Sequence, residues 1–176
     1  ALTCSKIKDS DMRDSCVAEL AKQKKDAKIC NLIKSDKTKG YCQEMLAEIN
    51  NNPFACAKIK DIYWQDNCHY QLAIKNNKDK LCSLVANSEQ RIECFKKIAF
   101  TTNNPWVCKS LGTEESQPCY YKIAKATLNI TTCKFIANKL NRNNCIFGIA
   151  KEKNDIKLCD ELTNTQIKAK CKELVK

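Results

Sequence analysis

The stretch CAKIKDIYWQDNCHYQLAIKNNKDKLC, residues 56–82, decides the fold. It begins and ends on cysteines, Cys56 and Cys82, with Cys68 between them, giving gaps of 12 and then 14. Ile59 stands three residues after Cys56, and Asp61 five after it. Leu72 and Ala73 stand four and five after Cys68. A step of 26 residues in either direction reproduces this frame.

The cysteines are Cys4, Cys16, Cys30, Cys42, Cys56, Cys68, Cys82, Cys94, Cys108, Cys119, Cys133, Cys145, Cys159 and Cys171. Their gaps alternate 12 and 14 except for one of 11, from Cys108 to Cys119. A fixed period of this kind marks an array of supersecondary units. The aliphatic position after the first cysteine reads Ile7, Ile33, Ile59, Val85, Leu111, Ile136, Leu162. The one after the second reads Leu20, Leu46, Leu72, Ile98, Ile123, Ile149, Val175, and in six copies alanine follows. A small residue beside an aliphatic one lets two helices approach closely.

Two columns of capping residues set the helix starts. Asp9, Ser35, Asp61, Asn87, Thr113, Asn138 and Asn164 are all side chains that accept from free N–H groups of a first turn. Asp26, Asn52, Lys78, Asn104, Asn129 and Asp155 form the second column, with Pro53 and Pro105 at the favoured first helical position. Each copy then reads as a helix of roughly eight residues and one of roughly fifteen. The expected fold is all-α: a right-handed α-solenoid of seven two-helix repeats, one disulfide each. It forms a single repeat domain over residues 1–176, with copies at about 1–25, 26–51, 52–77, 78–103, 104–128, 129–154 and 155–176.

The cysteine pairing follows from the hairpin. Bridged residues lie about equally far from the turn. Cysteines within a copy do so, whereas those of adjacent copies are offset by roughly 9 Å at about 1.5 Å per helical residue. The reading is therefore 4–16, 30–42, 56–68, 82–94, 108–119, 133–145 and 159–171. The missing residue of the fifth copy shortens one hairpin and leaves its pairing intact. A closed loop of this length stabilises by roughly 3 kcal/mol.

This hairpin plan resembles tetratricopeptide-type helical repeats, especially their cysteine-rich secreted relatives with one disulfide per hairpin. It is also similar to cysteine-repeat proteins predicted from archaeal and bacterial genomes. The resemblance covers the whole chain as architecture and brings no catalytic or binding motif with it. The 26-residue period is shorter than the tetratricopeptide one, and the signature residues of that repeat are absent.

Fourteen cysteines in 176 residues point to an oxidising, extracellular or cell-surface setting. No run of apolar residues is long enough for a membrane span. A secreted chain would have lost a signal segment ahead of Ala1. Ala1 aligns with the first residue of a short helix, and Lys176 falls about three residues before a repeat would end. Without polar capping repeats, the expectation is a segment of a longer array or a subunit stacking head to tail, with plain fraying of solvated ends as the alternative.

Catalytic chemistry has few materials here. His69 is the one histidine, no thiol is left over, and no phosphate-binding or nucleophile motif occurs. No enzyme activity, cofactor or metal is expected. The net charge of +11 comes from 28 lysines and three arginines. It is densest in the sixth copy, at Lys134, Lys139, Arg142, Lys151 and Lys153. Arg13, Lys39, Gln65, Arg91, Gln117, Arg142 and Lys168 line up as a partly basic ladder. It reads either as a solvated face or as a surface for a polyanionic glycan; nucleic-acid readers use more arginine. Tyr70, Phe95, Tyr120, Tyr121 and Phe147 follow the second cysteines, beside His69, with Trp64, Phe100 and Trp106 nearby in sequence. They are either a strip on which a partner docks or packing between repeats. Asn129-Ile130-Thr131 is a glycosylation sequon that coincides with a capping position. The functional expectation is a non-enzymatic scaffold that binds a protein partner or self-associates. The alternative is a carbohydrate- or polyanion-binding module.

Overall fold

The computed structural model describes residues 4–175. Ala1 and Lys176, on which the reading of the chain ends depends, lie outside the described residues. All regular structure among the described residues is helical. The chain packs as two compact units, Ala1–Cys94 and Phe95–Lys176.

The long helices are α1 (Ser10–Lys24), α2 (Asp36–Ile49), α4 (Ile62–Asn76), α6 (Ser88–Thr101), α8 (Thr113–Thr127), α10 (Lys139–Lys153) and α11 (Thr165–Leu174). Between them lie single turns: α3 (Pro53–Cys56), α5 (Asp79–Cys82), α7 (Pro105–Cys108) and α9 (Ile130–Cys133). Cys4–Lys6, Ile29–Leu32 and Ile156–Glu161 take the tighter 3-10 form. The short helix is thus one turn, about half the expected length. Its cause is the aliphatic residue three beyond the cysteine. Ile33 and Leu162 adopt extended backbone, at φ −72°, ψ 132° and φ −76°, ψ 129°. Extension turns that side chain into the core and carries the chain on to the next helix start.

Six of the seven expected caps of the long helices accept from first-turn amides, among them Asp9 from Met12 N–H and Asp61 from Tyr63 and Trp64 N–H. Thr113 does not; Gly112 caps α8, with no side-chain bond. Counted back from the second cysteine, Gly112 holds the cap position of every other copy. The residue missing from the fifth copy is therefore a connector residue, and the hairpin keeps its register. In the second capping column every side chain but Lys78 accepts from the N–H two residues on.

Helix ends show what the alanine column does beyond packing. Lys25, Asn51, Asn77, Asn103, Leu128 and Asn154 all have φ of 49–51°. The next residue's N–H then reaches back to an alanine carbonyl, as Asn52 does to Ala47 at 2.8 Å and Lys78 to Ala73 at 2.9 Å. This is the Schellman closure without glycine. Asparagine tolerates the left-handed region, whereas leucine does not. Leu128→Asn is expected to raise stability by about 0.5–1 kcal/mol, measured by denaturant unfolding. No gain would mean that the partly buried Leu128 side chain packs well enough to offset its backbone strain.

Each copy is closed by a disulfide within itself, with Cα–Cα distances of 5.6–5.8 Å. In the first unit, Ile33, Leu46, Ile59 and Leu72 are almost fully buried around these bridges. Ile123, Ile136 and Ile149 do the same in the second. Ile7 and Leu20 of the first copy are only partly buried.

Candidate functional site

The five aromatics that follow the second cysteines, read either as a docking strip or as packing between repeats, differ in burial. Tyr70, Phe95 and Tyr120 are buried, Phe147 is half-buried, and only Tyr121 is exposed. Phe95 and Tyr120 directly follow a buried cysteine, about 100° further round the helix, and this direction is inward; Tyr70, two residues after Cys68, is buried as well. Tyr70 donates its O–H to Glu93 at 3.1 Å, and burial raises its pKa, with Glu93 adding to the rise. Tyr120 packs on Phe135 with ring centroids 5.5 Å apart, and Phe135 on Trp106 at 5.1 Å. The most exposed aromatics belong to other columns: Phe54 (81% exposed) and Tyr63 (67%) in the first unit, Trp106 (65%) in the second. Tyr41 and Tyr63 both meet the half-buried Trp64 edge to face, at 5.4 and 4.9 Å.

The basic ladder is largely occupied. Arg91 donates to the carbonyls of Val85 (2.7 Å) and Ala86 (3.0 Å). Arg142 donates to Ile136, Gln65 to Ile59 and Lys168 to Asp160, all at main-chain oxygens. These heads close the connector of their own copy. In the sixth copy, Lys134 pairs with Glu161 at 2.8 Å. Glu152 pairs with Lys125 at 2.6 Å.

Gln117 does not belong to the ladder. Counted from the second cysteine it falls into a column that sequence reasoning missed: Asp14, Gly40, Asp66, Ile92, Gln117, Asn143. Its polar members accept main-chain N–H groups from the next copy. Asp14 takes Lys34 and Ser35, at 3.1 and 2.8 Å. Asp66 takes Ala86 and Asn87, at 2.7 and 2.8 Å. Gln117 takes Ala137 at 2.7 Å. Asn143 takes Thr163 at 2.8 Å and Asn164 at 3.4 Å. Asp14, Asp66 and Asn143 are buried, so the first, third and sixth copies are each tied to the next by a satisfied polar contact.

Gly40 interrupts the column in the first unit, as Ile92 does further along. A Cβ built there would lie 2.9 Å from Cγ of Trp64, so no side chain fits. Beside Gly40 a cleft of about 720 Å³ opens, lined also by Lys28, Lys39, Gln43, Lys58 and Lys60. It is the one place where the connector amides between two copies of this unit lack their carboxylate.

No family model, curated protein or solved structure matches the chain. The tetratricopeptide-type likeness accordingly stands on the plan of the hairpin alone.

Buried Glu44, the residue after the cleft-lining Gln43, accepts from Asn67 Nδ2. Burial and the nearby Glu48 raise its pKa to about 7, against the pull of Asn67. Glu48 is raised too, again by burial first, with Lys75 opposing. A carboxyl that holds its proton more tightly when folded stabilises most where it is protonated. That stability is fully present below about 4.5, the unfolded value, and is lost as pH rises to about 7. Glu44→Gln keeps the acceptor for Asn67 and removes the titration. Melts from pH 5 to 8 should show wild type losing about 2–3 kcal/mol and the variant much less. Parallel curves would place the titration elsewhere.

No cluster of three metal-ligating side chains occurs among the described residues. His69 is buried with both ring nitrogens unpartnered, and burial lowers its pKa against the opposing charge of Asp66. Asn129 is exposed, and its Oδ1 accepts Thr131 N–H at 2.9 Å, as the other caps of its column do.

Proposed function

We propose that the protein is a non-enzymatic scaffold of the cell surface or secreted space that binds another protein through its first unit. The observation that carries this reading is the exposure of Phe54 and Tyr63, which flank in sequence the cleft-lining residues Ala55, Lys58, Lys60 and Asp61. Exposed aromatics beside a polar groove are the usual anchors of protein interfaces. Seven disulfides suit an oxidising extracellular environment, and no described helix is long and apolar enough to cross a membrane. The likeness in plan to secreted cysteine-rich hairpin repeats agrees with this.

The test replaces Phe54 and Tyr63 together with alanine. Their exposure predicts unchanged helicity by circular dichroism, while partner binding falls at least about tenfold. Sedimentation over a concentration series shows whether that partner is a second copy. Unchanged binding in the double variant would remove the assignment of this face. Carbohydrate or polyanion binding is the second reading, favoured by the lysines of the cleft. Steeply salt-dependent binding on an anionic-glycan panel would support it over the first.

A further inference from the structure

We propose that the cleft between the second and third copies seats an aspartate or glutamate side chain from an acidic segment of a partner protein. The carboxylate takes the role that Asp14 and Asp66 play at other junctions, entering from the cleft because Trp64 fills the space that a side chain at position 40 would need. The inference rests on the protein-binding reading and specifies the partner's chemistry.

The repeats supply the template. At three of the four polar junctions, the two residues before a long helix present main-chain N–H groups to an oxygen from the preceding copy; at the fourth, Gln117 takes Ala137 alone. The pair is Lys34 and Ser35 beneath Asp14, Ala86 and Asn87 beneath Asp66, and Thr163 and Asn164 beneath Asn143. The corresponding pair at the second junction is Lys60 and Asp61. Neither N–H has an acceptor among the described residues. Their internal acceptor would have to come from position 40, which is glycine with Trp64 packed against it. Lys60, Asp61 and Gly40 all line the cleft.

Charge favours an acid over a neutral group. Lys28, Lys39, Lys58 and Lys60 line the cleft, and none of them enters an ion pair among the described residues. Two acids, Asp36 and Asp61, also line it, and Asp61 already accepts from Tyr63 and Trp64 N–H. The volume is within the range of about 300–1,000 Å³ of ligand sites. What occupies the equivalent position elsewhere in this molecule is a protein side chain on a helix, so a polypeptide acid is the closest external match.

The experiment titrates the oxidised, ¹⁵N-labelled full chain with a ten-residue polyaspartate peptide, with polyasparagine as the uncharged control and polygalacturonate as the glycan arm. The expected result is movement of the Lys60 and Asp61 amide resonances with polyaspartate and not with polyasparagine. Replacing the exposed Lys58 and the half-buried Lys39 with glutamine should weaken that binding about tenfold while leaving the spectrum folded. Polyaspartate shifts confined to the lysines of the sixth copy would overturn the proposal. So would polygalacturonate moving Lys60 and Asp61 while polyaspartate leaves them in place. Partner binding that still depends on Phe54 and Tyr63 would then show that the scaffold reading survives without the acid.

Discussion

Full reduction should unfold the oxidised chain at room temperature, and opening one copy by Cys56→Ala with Cys68→Ala should cost about 3 kcal/mol. The reason is local. In the third copy the helix that carries Cys56 is the four residues Pro53–Cys56, far too short to persist alone. Ile59 and the bridge to Cys68 hold it against α4, with Cα atoms 5.6 Å apart. Without the bridge, the unfolded hairpin regains the freedom of a loop of about a dozen residues. Seven such losses do not add, because neighbouring copies share packing. Together they nonetheless exceed the margin of about 5–15 kcal/mol on which domains of this size persist. Far-UV circular dichroism with and without reductant measures the first effect, and guanidinium unfolding of the double variant the second. Retained helicity after complete reduction would mean that stacking suffices. Non-reducing peptide mapping should find only bridges within copies.

The features legible in the sequence are those that one residue type enforces at a fixed place. A disulfide needs two cysteines at matched heights, and a close helix contact needs alanine, so both repeat visibly. The caps repeat for the same reason. The Asp14–Asp66–Asn143 column was harder to see. Its chemistry is interchangeable among aspartate, asparagine and glutamine, and glycine or isoleucine interrupts it. The missing residue of the fifth copy also moves Gln117 into the wrong column when counting runs forward from Cys108. The left-handed column was visible as Asn51, Asn77, Asn103 and Asn154, but Lys25 and Leu128 hide its meaning. The aromatics could not be placed because adjacent positions on one helix turn differ only in direction. Tyr120 and Tyr121 share an identity, and one is buried while the other is exposed.

Asp66→Ala should destabilise the first unit by about 3 kcal/mol, and Asp66→Asn by less than about 1 kcal/mol. The alanine leaves the N–H groups of Ala86 and Asn87 without an acceptor in a buried place, at about 1–3 kcal/mol each. The asparagine keeps one oxygen, and the chain already uses that solution at Asn143, where one Oδ1 serves both Thr163 and Asn164. Asp14 extends the prediction to pH. Burial alone would raise its pKa. The N–H groups of Ser35 and Lys34, with the charges of Arg13 and Lys34, outweigh that and hold the carboxyl below its ordinary value. A carboxyl depressed by folding contributes stability above its unfolded pKa of about 3.9, and that contribution is lost as pH falls through the folded value. Glu44 acts with the opposite sign and in a higher window. The first unit should therefore be most stable near pH 5, with an acid limb from Asp14 and a neutral limb from Glu44. Asp14→Asn should flatten only the acid limb, and Glu44→Gln only the neutral one. If Asp14→Asn changed the neutral limb as well, the two carboxyls would be coupled through the second copy, and the stack would respond to pH as one element.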